Sequence, residues 1–94
     1  MYTRRYILLP EQLIRSRSDR LDISKKAIRR AVSLATEAHK RGVFPGKAPS
    51  SIAAVATFVA CQKEGEDISR DQVAKAFGVS PVTIRNLSKE LSVL

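Results

Sequence analysis

Gln72-Val-Ala-Lys-Ala-Phe-Gly-Val-Ser-Pro-Val-Thr-Ile-Arg-Asn86 reads as a short helix, a glycine corner and a freshly capped second helix. Ala74 offers a small side chain where two helices touch, and four residues later Gly78 permits the positive φ of a tight turn. Val79 plugs the corner. Ser80 has the acceptor of an N-cap, and Pro81 suits a first helical position, where no amide donor is needed. Ile84, Leu87 and Leu91 then recur at helical spacing and hold the second helix against the body. A unit of this kind lays its second helix in the major groove of duplex DNA.

Outward from that stretch, the whole chain reads as all-α, with five helices and short connections. Residues 1–9 form a lead-in without a pattern, followed by a domain over residues 10–94 whose helix-turn-helix occupies about 69–92. The first helix, about 11–20, opens at Pro10 and carries a partial stripe of Leu13, Ile14 and Leu21, while Arg15, Arg17 and Arg20 crowd its other face. Ser24 caps the second helix, where Ala27, Ile28, Ala31, Val32, Ala35 and Ala38 mark an apolar arc. Lys26, Arg29, Arg30 and Lys40 lie opposite. Gly42 ends this helix as a left-handed cap after Lys40 and Arg41. Val43 to Pro49 is a loop, with two prolines and a glycine.

The third helix starts near Ser50 and contains Ile52-Ala-Ala-Val-Ala-Thr-Phe-Val-Ala-Cys61, apolar around nearly its whole circumference. A water-soluble helix of that composition requires cover on every side, and its four alanines let neighbours approach closely. The expected architecture is therefore a central helix wrapped by the others. Gly65 turns the chain, and Ser69 with Gln72 forms a capping box for the fourth helix at about 69–77. The fifth helix follows over about 81–92.

The 94 residues suit one domain. The single cysteine, Cys61, excludes an internal disulfide and every multi-cysteine zinc motif, and its apolar setting points to an inert buried thiol. The longest apolar run is too short to span a bilayer, and no secretory signal pattern is present. A reducing, intracellular compartment follows as the expectation. His39 is the only histidine and has no nucleophile beside it. The four glycines are scattered, without a phosphate-cradling loop. Enzymatic activity is not expected, nor is a cofactor or metal.

Net charge is +8, and its distribution is uneven. Residues 1–47 carry 12 basic and 4 acidic groups, whereas residues 48–94 carry 5 of each. The half holding the second helix of the motif is thus neutral, and the other half supplies the field. Such a field suits a polyanion; it equally suits a solvated basic surface.

The segments Gly46-Lys47-Ala-Pro49, Pro49-Ser-Ser-Ile-Ala-Ala-Val-Ala, Val73-Ala, Gly78-Val and Val82-Thr-Ile-Arg-Asn86, with Lys89-Glu-Leu91, resemble the second cyclin-like repeat of transcription factor IIB. The archaeal form, transcription factor B, is the nearer in flavour. The resemblance covers about residues 20–91 and implies a five-helix cyclin-like fold. It also implies binding to double-stranded promoter DNA beside the TATA box, together with TATA-binding protein, by a monomer. The last helix would read the element upstream of the TATA box, through the residues at Val82 and Arg85. A full factor also has a zinc ribbon, a linker and a first repeat, through which RNA polymerase is engaged. Those parts do not occur in this sequence, so an excised carboxy-terminal domain is expected rather than a stand-alone relative with an altered partner. The implied location is cytoplasmic, at the archaeal nucleoid, or nuclear in a eukaryote.

With Ile84 pointing inward and 100° per residue, Leu87, Ser88 and Leu91 share its side, and Val82, Arg85, Asn86 and Lys89 form the opposite face. Arg85 suits a bidentate pair to guanine, Val82 a thymine methyl, and Asn86 an adenine or a phosphate. Lys89 suits a phosphate, as do the first-turn amides near Ser80. Arg85 and Lys89 also fit a plainly solvated face, and Val82 also fits packing on the fourth helix. Lys26, Arg29 and Arg30 are candidate phosphate or partner contacts, or a solvated stripe. Two other functional classes fit the same sequence. One is a cyclin-like protein–protein module; the other is a helix-turn-helix regulator that dimerises on a palindrome.

Overall fold

Ten consecutive residues, Ile52 to Cys61, are buried in the computed structural model, which describes residues 9–44 and 46–93. They belong to α3 (Pro49–Lys63), around which α1 (Pro10–Arg17), α2 (Lys25–Lys40), α4 (Arg70–Phe77) and α5 (Pro81–Ser92) are arranged. α3 packs against all four of them, as its all-round apolarity requires. Pro49 starts it at the position where no amide is needed. Ala53, Ala54, Ala56 and Ala60 are wholly buried, which allows close helix approach on several sides. Thr57 is the one buried hydroxyl within α3, and it donates to the Ala53 carbonyl at 2.8 Å, so no polar atom is stranded there. Burial is also what pushes the Cys61 thiol up to about 11, with the negative charge of Glu66 adding to it. That thiol is a packing group, not a nucleophile.

The helices end where their sequences say they should. Ser24 Oγ accepts from the Ala27 amide at the start of α2. At its far end Gly42, φ 66°, sends its amide to the His39 carbonyl while Val43 donates to Ala38, which closes the last turn. The buried stripe of α2 is Ala27, Ala31, Leu34, Ala35 and Ala38. This corrects the sequence expectation: Ile28 and Val32 are only half-buried, and Leu34 takes the central place because α2 meets both α1 and α3.

The first helix also departs from expectation. Instead of one α-helix to about residue 20, α1 stops at Arg17 and a 3-10 turn covers Ser18–Arg20. Ser18 turns its hydroxyl back onto the Ile14 carbonyl, offering the backbone a competing partner. Leu21 then donates to the Ser18 carbonyl and leaves in an extended conformation that buries its side chain. Leu13 and Ile14 are buried as the stripe indicated. The lead-in assigned to residues 1–9 lies, apart from Leu9, outside the described residues.

Phe44 is the feature with no local signal. It holds φ 63°, a left-handed conformation unusual for a side-chain-bearing residue, yet only 5% of its surface is exposed. Its ring belongs to the core cluster, and that burial offsets the backbone strain. Among the described residues no helix is long and apolar enough to cross a membrane.

The close fit of the α3 alanines gives a direct test. Ala56→Leu should destabilise the chain by about 1–3 kcal/mol, because the extra carbons find no space. Gln62→Leu, on the exposed end of the same helix, should change stability by less than about 0.5 kcal/mol. Urea unfolding midpoints of the two variants measure the contrast.

Candidate nucleic-acid interface

α4 and α5 are joined by three residues, Gly78, Val79 and Ser80. Each end of this unit is fixed by its own side chains. At the start of α4, the Gln72 amide donates to Ser69 Oγ at 3.1 Å and the Ser69 amide donates to Gln72 Oε1 at 2.9 Å. Arg70, beside that cap, stands 5.8 Å from the centre of the Phe58 ring and ties the entry of α4 to α3. At the corner Gly78 adopts φ 70° and ψ 36°. The amides of Gly78 and Val79 both go to the Ala74 carbonyl, which closes α4. Val79 is half-buried against the core and fills the corner.

Ser80 then begins α5. Its Oγ accepts from the Val82 amide at 3.2 Å, and its carbonyl receives the Thr83 amide at 3.1 Å. The first-turn amides are therefore satisfied inside the chain, and Pro81 has none to offer. What Ser80 leaves available to an anion is its own hydroxyl proton, since its oxygen is the acceptor in the cap.

α5 is divided lengthwise as its spacing indicated. Ile84 and Leu91 have no exposed surface, each worth about 1.5–3 kcal/mol of burial. Leu87 and Ser88 are half-buried beside them. α5 packs on α3 and α4, and Lys63 of α3 donates to the Ser92 carbonyl at 3.0 Å, fastening the two helix ends together. Val82, Arg85, Asn86 and Lys89 are all exposed on the other side. Val82 keeps 53% of its surface in contact with water.

The two cations of this face are not neutralised by an ion pair among the described residues. The ion pairs among the described residues are Arg30 with Glu64 and Arg41 with Glu37. Neither involves Arg85 or Lys89. These two cations stand four residues apart on one face, an arrangement that disfavours a free helix by a few tenths of a kcal/mol. A polyanion relieves that repulsion.

The α2 stripe is arranged differently. Lys26, Arg29 and Arg30 are exposed, but Arg30 Nε lies 2.5 Å from Glu64 Oε2. The hydrogen bond from Arg30 holds the Glu64 carboxyl below its ordinary range, helped by the charges of Arg30 and Lys26. The Ser24 amide also points to Glu66 Oε1 at 3.4 Å. Part of this stripe therefore ties α2 to the α3–α4 turn, across 34 residues of sequence. Sequence reasoning saw the cations and not their partner. A second omission is Arg17 of α1, whose Nη1 lies 4.0 Å from where a Cβ on Gly78 would sit. No local pattern marks it. His39 is exposed at the end of α2, and no group of three His, Cys, Asp or Glu residues stands together among the described residues as a metal site requires.

Comparison with known proteins bears on the same unit. Residues 4–92 match the family model described as "Transcription factor TFIIB repeat". The match takes in α1, so the likeness extends further toward the amino terminus than the sequence motifs indicated. The chain is 39% identical over 82 residues to the "Transcription initiation factor IIB" of Pyrococcus furiosus, covering 87% of this chain and 27% of that protein. It is 41% identical over 73 residues to "Transcription initiation factor IIB 2" of Thermococcus kodakarensis, covering 78% of this chain and 24% of that one. A third relative, "Transcription initiation factor IIB 2" of Thermoplasma acidophilum, is 38% identical over 74 residues. The chain spans about a quarter of the length of these curated relatives. They are named as initiation factors, not as enzymes. Five helices, four of them packed around a buried α3, agree with the cyclin-like, all-α architecture of such a repeat.

The corner sets the aim of α5, and its geometry is testable. Gly78→Ala should cost about 1–2 kcal/mol, the penalty of a left-handed conformation for a residue with a Cβ. Gly78→Asn should cost less, since asparagine tolerates that region. Thermal unfolding of the two variants checks the order.

Proposed function

The chain belongs to the transcription factor IIB repeat family, and on that premise we propose that it binds double-stranded promoter DNA as a cyclin-like repeat of the second, carboxy-terminal kind. α5 enters the major groove upstream of the TATA box, and the chain acts there together with TATA-binding protein. Recruitment of RNA polymerase falls to portions of the family's proteins outside this stretch. The observation that carries this reading is the face of α5: Val82, Arg85, Asn86 and Lys89 exposed together, with both cations outside the ion pairs among the described residues.

Each side chain has a task set by its chemistry. The Arg85 guanidinium presents two parallel donors, which match O6 and N7 of guanine, and such a pair discriminates by about 1–3 kcal/mol. Val82, an exposed apolar residue one turn earlier, meets a thymine methyl. Asn86 reads adenine or holds a phosphate. Lys89, further along the helix, pairs with the sugar-phosphate backbone, which positions the protein but carries no sequence information. The Ser80 hydroxyl donates to a phosphate at the helix entrance.

A single module of this kind buries about 600–1,000 Å², so binding by the chain alone is weak and a neighbouring protein on the DNA strengthens it. Gel shifts on TATA-containing promoter duplexes, with and without TATA-binding protein and across salt concentrations, test the whole reading. Cooperative retention is the expected result. Salt-sensitive binding without sequence preference, or binding only to acidic proteins, contradicts it.

Two substitutions separate the roles within α5. Arg85→Ala should lose about 1–3 kcal/mol and relax preference at one base pair. Lys89→Ala should weaken every sequence alike and make the salt dependence shallower by about one unit of slope. Binding-site selection with each variant reads the first effect, and affinity measured against salt reads the second.

A further inference from the structure

We propose that Arg17 and Arg20, at the end of α1, join Lys75 of α4 in a phosphate-binding track that extends the duplex interface beyond α5. The inference rests on the reading of α5 as a groove-binding helix and adds a second element to it, one drawn from the basic half of the chain.

Placement is the first ground. Arg17 is the last residue of α1, and its guanidinium reaches the corner between α4 and α5, 4.0 Å from the Cβ position of Gly78. That corner lies two residues before Ser80. Arg20, in the 3-10 turn that follows, lines with Gln72 and Lys75 an open groove of about 510 Å³ between the end of α1 and the outer side of α4. The end of α1 thus runs beside the first helix of the helix-turn-helix, against which α1 packs. In this motif the second helix occupies the groove while the first crosses the backbone. Cations beside α4 and its exit corner therefore stand where phosphates pass.

Charge is the second ground. Asp22 is the acidic residue lining this groove, and two cations, Arg20 and Lys75, line it as well. None of Arg17, Arg20 and Lys75 takes part in the ion pairs among the described residues, whereas Arg30 and Arg41 are so committed. The reading half is neutral and the excess of +8 lies in residues 1–47, to which α1 contributes one net charge, Arg15 and Arg17 against Glu11. Arg17 also complements the carboxyl end of the α1 dipole. A purely structural role of that kind would leave the salt dependence of DNA binding untouched.

The test measures duplex affinity by fluorescence anisotropy from about 50 to ~200 mM salt, using the full chain with TATA-binding protein on promoter duplexes carrying either the preferred or a scrambled upstream element. In the Arg17→Gln/Arg20→Gln/Lys75→Gln variant, log K against log salt should become shallower by about 0.9 for each phosphate no longer neutralised, so by about 2–3 in all. The ratio of affinities for the two duplexes should stay as in the unaltered chain. The Arg20→Gln/Lys75→Gln variant, which keeps Arg17 on the corner, should show about two-thirds of that flattening, on the same basis of one phosphate per cation. The charge-preserving Arg17→Lys/Arg20→Lys variant, with Lys75 kept, should retain the original slope. Thermal unfolding of each variant confirms that the helices persist. An unchanged slope in the folded Gln variants, with Arg85→Ala still altering the affinity ratio, overturns the track and leaves the role of α5 standing. Indifference of the unaltered chain to the upstream element, with Arg85→Ala likewise silent, overturns both.

Discussion

The burial of α3 on every side is the constraint from which the rest of the structure follows. A helix with ten successive buried residues cannot lie at the edge of a bundle; it needs a neighbour in each direction. Four helices supply them. Alanine at four of its positions brings those neighbours close, so the place of each outer helix is determined by packing on a rigid centre. α5 inherits its orientation from that arrangement. Ile84 and Leu91, fully buried seven residues apart, fix its rotation, and the Lys63 bond to the Ser92 carbonyl fixes its far end. Once the inner side is fixed, the outer side has no freedom left: Val82, Arg85, Asn86 and Lys89 point away from the body together.

Electrostatics then divides the cations into two groups. Arg30 and Arg41 hold carboxylates, one joining α2 to the end of α3 and the other bridging one turn of α2. Exposed pairs of this kind contribute little to stability, typically below about 1 kcal/mol, but they remove those cations from the field available to a ligand. Arg85 and Lys89 keep theirs. A face with unrelieved like charge adds nothing to folding, and its presence on the best-braced exposed helix is understandable as a provision for an anion. Within the stripe of Lys26, Arg29 and Arg30, the more conspicuous cluster in the sequence, only Arg30 is committed in this way.

Much of this was legible in the chain because it is local. A capping serine, a glycine just past the last apolar position and a proline at the first helical position act within one turn, so Ser69, Gly78, Ser80 and Pro81 marked α4 and α5 to within a residue. The rotation of α5 followed from 3.6-residue periodicity alone. What escaped notice depends on partners distant in sequence. Leu34 displaced Ile28 and Val32 from the buried stripe because α2 lies between two neighbours, which periodicity in one helix does not reveal. Glu64 lies 34 residues from Arg30, and Arg17 meets a corner far along the chain, at Gly78. Phe44 holds a strained conformation that only the surrounding core sustains. The split of α1 is of mixed origin, with a local serine hydroxyl competing for a carbonyl and a distant demand to bury Leu21.

Burial and charge converge on the outward face of α5, the surface proposed for DNA. The most direct measurement of that convergence is a residue-by-residue map of the DNA interface. Titrating isotope-labelled chain with a promoter duplex and following backbone and side-chain resonances by NMR should perturb Val82, Arg85, Asn86 and Lys89 first and most, while the signals of α3 hold still. Perturbations confined to Lys26 and Arg29 on α2, with α5 silent, would contradict the account.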